Sequence, residues 1–144
     1  MKGISTFLVA CLFALLCGCM LKYKDVSEES EYAPLLNTCY SLRTDMLIYG
    51  VNLGPGYGKD INIYDIKPMS LRTKGPEMIT EDVLKPGTIL EIQSIRKSTI
   101  SVPFEGKKVE AVVTVKPYTK AVNVPVVIGL EYIQSTNYVS KLEE

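Results

Sequence analysis

Val122, Val124, Val126, Ile128, Leu130 and Tyr132 recur at every second position. In an extended chain that period places six apolar side chains on one face, whereas a helix would scatter them around its axis. A second alternation sets Val109, Ala111, Val113 and Val115 against Glu110, Val112, Thr114 and Lys116. Further short runs at 40–43, 46–52, 61–66 and 88–97 are bounded by Gly, Pro, Asn and Asp, the punctuation of strands. Six strands and no helix longer than a turn or two predict an all-β domain. The expected form is a small barrel, SH3-like or related, with an open β-sandwich as the alternative. Residues 88–97 and 107–116 read as a hairpin. Pro125 lacks a donor, so the start of the last strand is expected at an edge or a bulge. The stretch 67–87, interrupted by Pro68, Gly75-Pro76 and Pro86-Gly87, is the least regular. Within it 80–84 is expected to form a single helical turn capped by Thr80.

The first eighteen residues have another character. Lys2 supplies a positive start and 7–16 is an uninterrupted apolar run, followed by small residues and a cysteine, the pattern of a secretory signal peptide. The tetrad Leu16-Cys17-Gly18-Cys19 resembles the lipobox of bacterial lipoproteins, with Cys17 where alanine, serine or threonine is usual. That resemblance covers about the first twenty residues. It implies cleavage between Gly18 and Cys19 and lipidation of Cys19, several acyl chains giving durable anchoring where one alone is marginal. It further implies a bacterial envelope location. Met20, in the place where aspartate signals inner-membrane retention, favours the outer membrane facing the periplasm. An uncleaved helix over 3–21 is the competing reading, since about twenty apolar residues span a bilayer. The organisation that follows is a signal peptide at 1–18, a lipidated cysteine and polar tether at 19–36, a β domain at 37–134 and a polar tail at 135–144. Within the tether, a short helical turn over 27–36 with Ser27 as its cap is the one local structure expected.

Composition narrows the functional classes. The chain has no histidine, the side chain that most often moves protons near neutral pH and ligates transition metals. Sixteen basic and sixteen acidic residues balance, and loss of Lys2 with the signal peptide leaves a net −1. No basic run suggests nucleic acid. Cys39 is the only mature cysteine besides Cys19, so an acylated Cys19 leaves no internal disulfide. Without an activating histidine Cys39 is a poor nucleophile and reads as a packed core residue. No cofactor or metal is expected. Asp60, Asn62 and Asp65 lack the glycine and terminal glutamate of a calcium loop.

Residues 54–60, Gly-Pro-Gly-Tyr-Gly-Lys-Asp, have glycines and a lysine but fail as a phosphate loop. Leu53 stands where glycine is needed, Asp60 replaces the hydroxyl, and a strand follows. They read as a strand connection, with Pro55, Gly56, Tyr57 and Lys59 as a candidate partner-binding loop that displays an aromatic ring. The mature part also resembles small envelope lipoproteins, through Tyr49-Gly50-Val51-Asn52-Leu53, residues 55–59, Gly75-Pro76-Glu77 and residues 84–88. That resemblance brings no activity with it. The leading expectation is therefore a non-enzymatic binding or structural module, tethered to a membrane and meeting an envelope protein or cell-wall partner. The alternatives are a toxin-inhibitor (immunity) lipoprotein or a wall-polymer hydrolase with paired carboxylates, for which Glu77, Glu81 and Asp82 crowd near one loop.

Overall fold

The computed structural model describes residues 22–101, 103–104, 106–121 and 123–143; the expected signal peptide, with Gly18 and Cys19 at its expected cleavage point, lies outside them. The domain is all-β. Its strands are β1 (Tyr23–Asp25), β2 (Cys39–Leu42), β3 (Met46–Val51), β4 (Ile63–Pro68), β5 (Met78–Leu84), β6 (Ile89–Ser98), β7 (Val109–Lys116), β8 (Val126–Gly129) and β9 (Val139–Lys141). One α-helical turn, α1 (Leu130–Ile133), follows β8. All nine strands join one sheet in the order β5-β3-β4-β8-β7-β6-β2-β9, and β1 shares the edge of β6 with β2. Every pairing is antiparallel except β4 with β8.

The expected closed barrel is not what forms. Among the described residues no pairing joins β5 to β9, so the sheet stays open. It is nonetheless curled, because Leu84 on the β5 edge and Val139 on the β9 edge belong to the same core as Ile92, Ala111 and Ile128 in the middle. Strand twist accumulated over this many strands bends a sheet around its own apolar face.

Six expectations are corrected. Residues 80–84 belong to β5 and are not a helical turn; Leu47 and Tyr49 of β3 are the ladder partners of Val83 and Glu81. The long alternation after residue 122 is a strand only from Val126 to Gly129. The chain then turns so that Leu130 and Ile133 plug the core. Pro125 stands just before β8, which lies between β4 and β7 and not at an edge, and its carbonyl accepts the Tyr64 N–H at 2.9 Å. Residues 22–36 are no tether: β1 pairs with β6, and Val26 and Tyr32 are buried in the core. Within that stretch Ser27 caps no helix. Its hydroxyl accepts the Ile95 N–H at 2.8 Å, and the segment passes through hydrogen-bonded turns into a 3-10 turn at Ala33–Leu35. The tail is likewise structured through β9.

The sheet has two apolar faces. The inner one holds the main core; the outer one carries a small cluster of Leu47, Tyr49, Val51, Ile63 and Val127. A bulge in β6 decides what joins them. The register with β7 slips between Ile92 and Ser94, leaving Gln93 unpaired. Ile92 and Ile95 therefore both point inward, and Ser94 and Arg96 are turned to the outer face.

Candidate functional site

A cleft of about 180 Å³ opens on the outer face. Its floor is the small apolar cluster, and its rim is charged. Register explains the gathering: Tyr49 lies opposite Asp65, Asp65 opposite Val127, and Arg96 opposite Glu110, so odd positions of β3 and β4 meet even positions of β6 and β7 on one surface. The β4–β5 connection folds over one side, contributing Thr73 and Glu77. It is fastened there by Arg72, whose guanidinium grips the Glu81 carboxylate of β5, and by the Asn52 N–H, which donates to the Glu77 carbonyl at 2.8 Å.

Two ion pairs line the rim. Arg96 Nη2 lies 2.8 Å from Glu110 Oε2, with both side chains largely buried, and Arg96 also stacks over the Tyr23 ring at 4.3 Å. The Tyr23 hydroxyl donates to Glu110 at 3.1 Å. Burial, reinforced by the Glu110 carboxylate, pushes this phenol far above the usual tyrosine range, so it remains a donor at all ordinary pH. Lys67 Nζ lies 3.1 Å from Asp65 Oδ2. Burial raises the Asp65 carboxyl above its ordinary value although Lys67 opposes the shift. Lys108 completes the rim.

The Tyr49 hydroxyl is the exception in this network. Tyr49 is only 2% exposed, lines the cleft, and its oxygen has no hydrogen-bond partner among the described residues. A buried hydroxyl left unpaired costs about 1–3 kcal/mol.

The raised Asp65 has a consequence for pH dependence. A carboxyl that binds its proton more tightly folded than unfolded stabilises the fold below about pH 4, and this contribution is lost as pH rises through the folded value. At neutral pH the ionised form opposes folding. Asp65→Asn is therefore expected to raise the urea midpoint at pH 7, with the advantage shrinking by pH 4. A lower midpoint at pH 7 would mean that the Lys67 pair outweighs burial.

The residues singled out from sequence are dispersed. Glu77 lines the cleft, Glu81 is held by Arg72, and Asp82 is bound by Lys120 and accepts the Tyr118 hydroxyl at 3.4 Å. Pro55, Gly56, Tyr57 and Lys59 stand in the β3–β4 connection, outside the cleft, where Tyr57 is 54% exposed. That loop is organised by two asparagines: Asn52 Oδ1 accepts the Gly54 N–H at 2.8 Å, and Asn62 Oδ1 accepts the Leu53 N–H at 3.2 Å. Leu53 alone reaches from it into the cleft. Cys39 is half-buried rather than in the core, because on β2 the inward positions belong to Tyr40 and Leu42. Sequence reasoning missed Arg96, Tyr23 and Tyr49 as site residues. One signal was present for Arg96: Ile92 and Ile95 are both apolar at odd spacing within a strand, the mark of a bulge.

Among the described residues no acidic or cysteine cluster is arranged to hold a metal ion, and no helix is long and apolar enough to cross a membrane. Compared with protein families, with curated proteins and with solved structures, the chain finds no match.

Proposed function

We propose that the protein is a non-enzymatic binding module of the bacterial cell envelope, anchored by acyl chains on Cys19 at the outer membrane's periplasmic face, and that its ligand or partner segment enters the outer-face cleft. The anchor rests on the lipobox resemblance of Leu16-Cys17-Gly18-Cys19. The cleft reading rests on the unpartnered Tyr49 hydroxyl, a donor already desolvated beside two ion pairs whose internal pairing keeps the rim preorganised. An apolar floor with a few fixed polar groups is the usual composition of a recognition pocket. Its small volume suits a side chain or the end of a polymer better than a whole cofactor.

The test has two arms. Mass spectrometry of the native protein extracted from membranes is expected to find Cys19 as the first residue, carrying acyl chains; a free thiol there would remove the anchor. Tyr49→Phe is expected to stabilise the free domain by about 1 kcal/mol, since it deletes an unpaired buried group. The same change is expected to weaken capture of the partner from detergent-solubilised envelopes by about fivefold, the worth of one lost hydrogen bond. A destabilised variant with unchanged capture would sink the cleft reading.

A second reading keeps one observation of its own. Asp65, Glu77 and Glu110 share the cleft, and Asp65 holds its proton above the ordinary range, as a general acid of a wall-polymer hydrolase would. Both Asp65 and Glu110 are committed to a cation, however, and so are not free to meet a substrate bond. Release of soluble fragments from purified wall polymer, abolished by Asp65→Asn, would establish it in place of the binding module.

A further inference from the structure

We infer that the end of the domain formed by the start of β1 and the β6–β7 connection docks on the surface of an anionic phospholipid bilayer; this rests on the anchor proposed above and adds a fixed orientation to it. Lys22, the first described residue, is fastened to the base of that connection: its carbonyl accepts both the N–H and the hydroxyl of Thr99, at 2.8 and 3.0 Å. Only three residue steps separate Cys19 from Lys22, a reach of at most about 11 Å. An acyl chain on Cys19 thus holds this end, and no other, within a headgroup's depth of the bilayer.

What this end displays fits that neighbour. Phe104 is fully exposed at the tip of the connection and Ile100 is exposed beside it. Phe104 is held there at φ 67°, a backbone region that bulky residues seldom occupy. Around these two apolar side chains the fold collects lysines from three separated segments: Lys22 and Lys24 on the β1 side, Lys97 at the end of β6, and Lys107 and Lys108 before β7. Lys24 and Lys97 stand directly opposite each other across the β1–β6 ladder. Like charges so placed destabilise a sheet in water. Neither has an ion-pair partner among the described residues. Of the acids nearby among the described residues, Asp25 accepts the Ser27 N–H at 2.8 Å and Glu110 is held by Arg96. An anionic surface relieves the lysine repulsion, and it accepts an aromatic ring at headgroup depth. The chain as a whole is neutral, so the basic face is made by the fold and not by composition.

The chain contains no tryptophan, so Phe104→Trp makes a single reporter. The full mature protein carrying it, its acylation verified by mass, would be reconstituted into vesicles of phosphatidylethanolamine with phosphatidylglycerol and into phosphatidylcholine vesicles. In the anionic vesicles the emission is expected to shift to the blue and to be quenched by brominated lipid, with a weaker response in phosphatidylcholine. Adding Lys97→Glu and Lys107→Glu, with unfolding behaviour checked as unchanged, is expected to weaken co-sedimentation of the unacylated Cys19→Ser protein with anionic vesicles by about thirtyfold or more, given roughly 1 kcal/mol per lysine at such a surface. Acylated protein with unshifted, unquenched emission overturns the docking inference and leaves the anchor standing. Should the native protein prove unacylated, the co-sedimentation arm decides alone: binding to anionic vesicles lost on charge reversal supports the surface, and no binding overturns it.

Discussion

Val26→Asp is expected to cost about 4 kcal/mol or more and to lower the urea midpoint steeply. Val26 is 4% exposed, its N–H donates to the Ile95 carbonyl at 2.9 Å, and the adjacent Ser27 hydroxyl bonds the Ile95 N–H. Two losses combine there. About 1.5 kcal/mol or more of apolar transfer disappears with the valine side chain. The new carboxyl then has no cation to meet and must bind a proton to remain buried, at roughly 1.4 kcal/mol for each unit its pKa is raised. Against a typical stability of about 5–15 kcal/mol this is a large fraction. Urea unfolding followed by circular dichroism measures it. An unchanged midpoint would restore residues 22–36 to the status of a tether.

Ile128→Ala is expected to cost about 3–4 kcal/mol, within the range for buried isoleucine truncation where the surroundings cannot collapse into the gap. The site is unfavourable for collapse. Ile128 is fully buried at the centre of β8, pinned between Ile66 on parallel β4 and Ala111 on β7. With a urea slope of about 1–3 kcal/mol/M, the midpoint falls by at least about 1 M at unchanged slope. Because Ile128 faces the inner core and its neighbour Val127 faces the cleft, the same variant separates fold from site. Partner capture at low denaturant is expected to persist, and its loss would mean that the two faces of β8 are not independent.

Much of the β architecture was legible because alternation is a local property. The strands expected at 46–52, 88–97 and 107–116 form at 46–51, 89–98 and 109–116, and in the last the inward face was legible too, from a period-two pattern that needs only one neighbour to satisfy. The segments that misled are those where a local pattern met a tertiary demand. Residues 80–84 hold Thr, Glu and Asp, which suit a capped turn, yet lie on the β5 edge because β3 offers an open ladder. Leu130 and Tyr132 continue an alternation, but the core needed a plug more than a longer strand.

The cleft was hardly legible. Asp65 was readable as an outward strand position and Glu77 as a loop acid; Tyr49 looked like one tyrosine among nine. Its isolation is a fact about what surrounds it in space.

What the amino-acid chain by itself determined is the class: extended segments with one apolar face, a lipobox-like start, and no histidine for proton transfer. What only the tertiary structure decided is how the sheet curls without closing, which terminal residues enter it, and which charges meet. The physical reason is range. Side-chain direction along a strand is set within two residues, whereas register, bulges and the meeting of Tyr23, Tyr49, Arg96 and Glu110 depend on long-range pairings that satisfy the whole core at once.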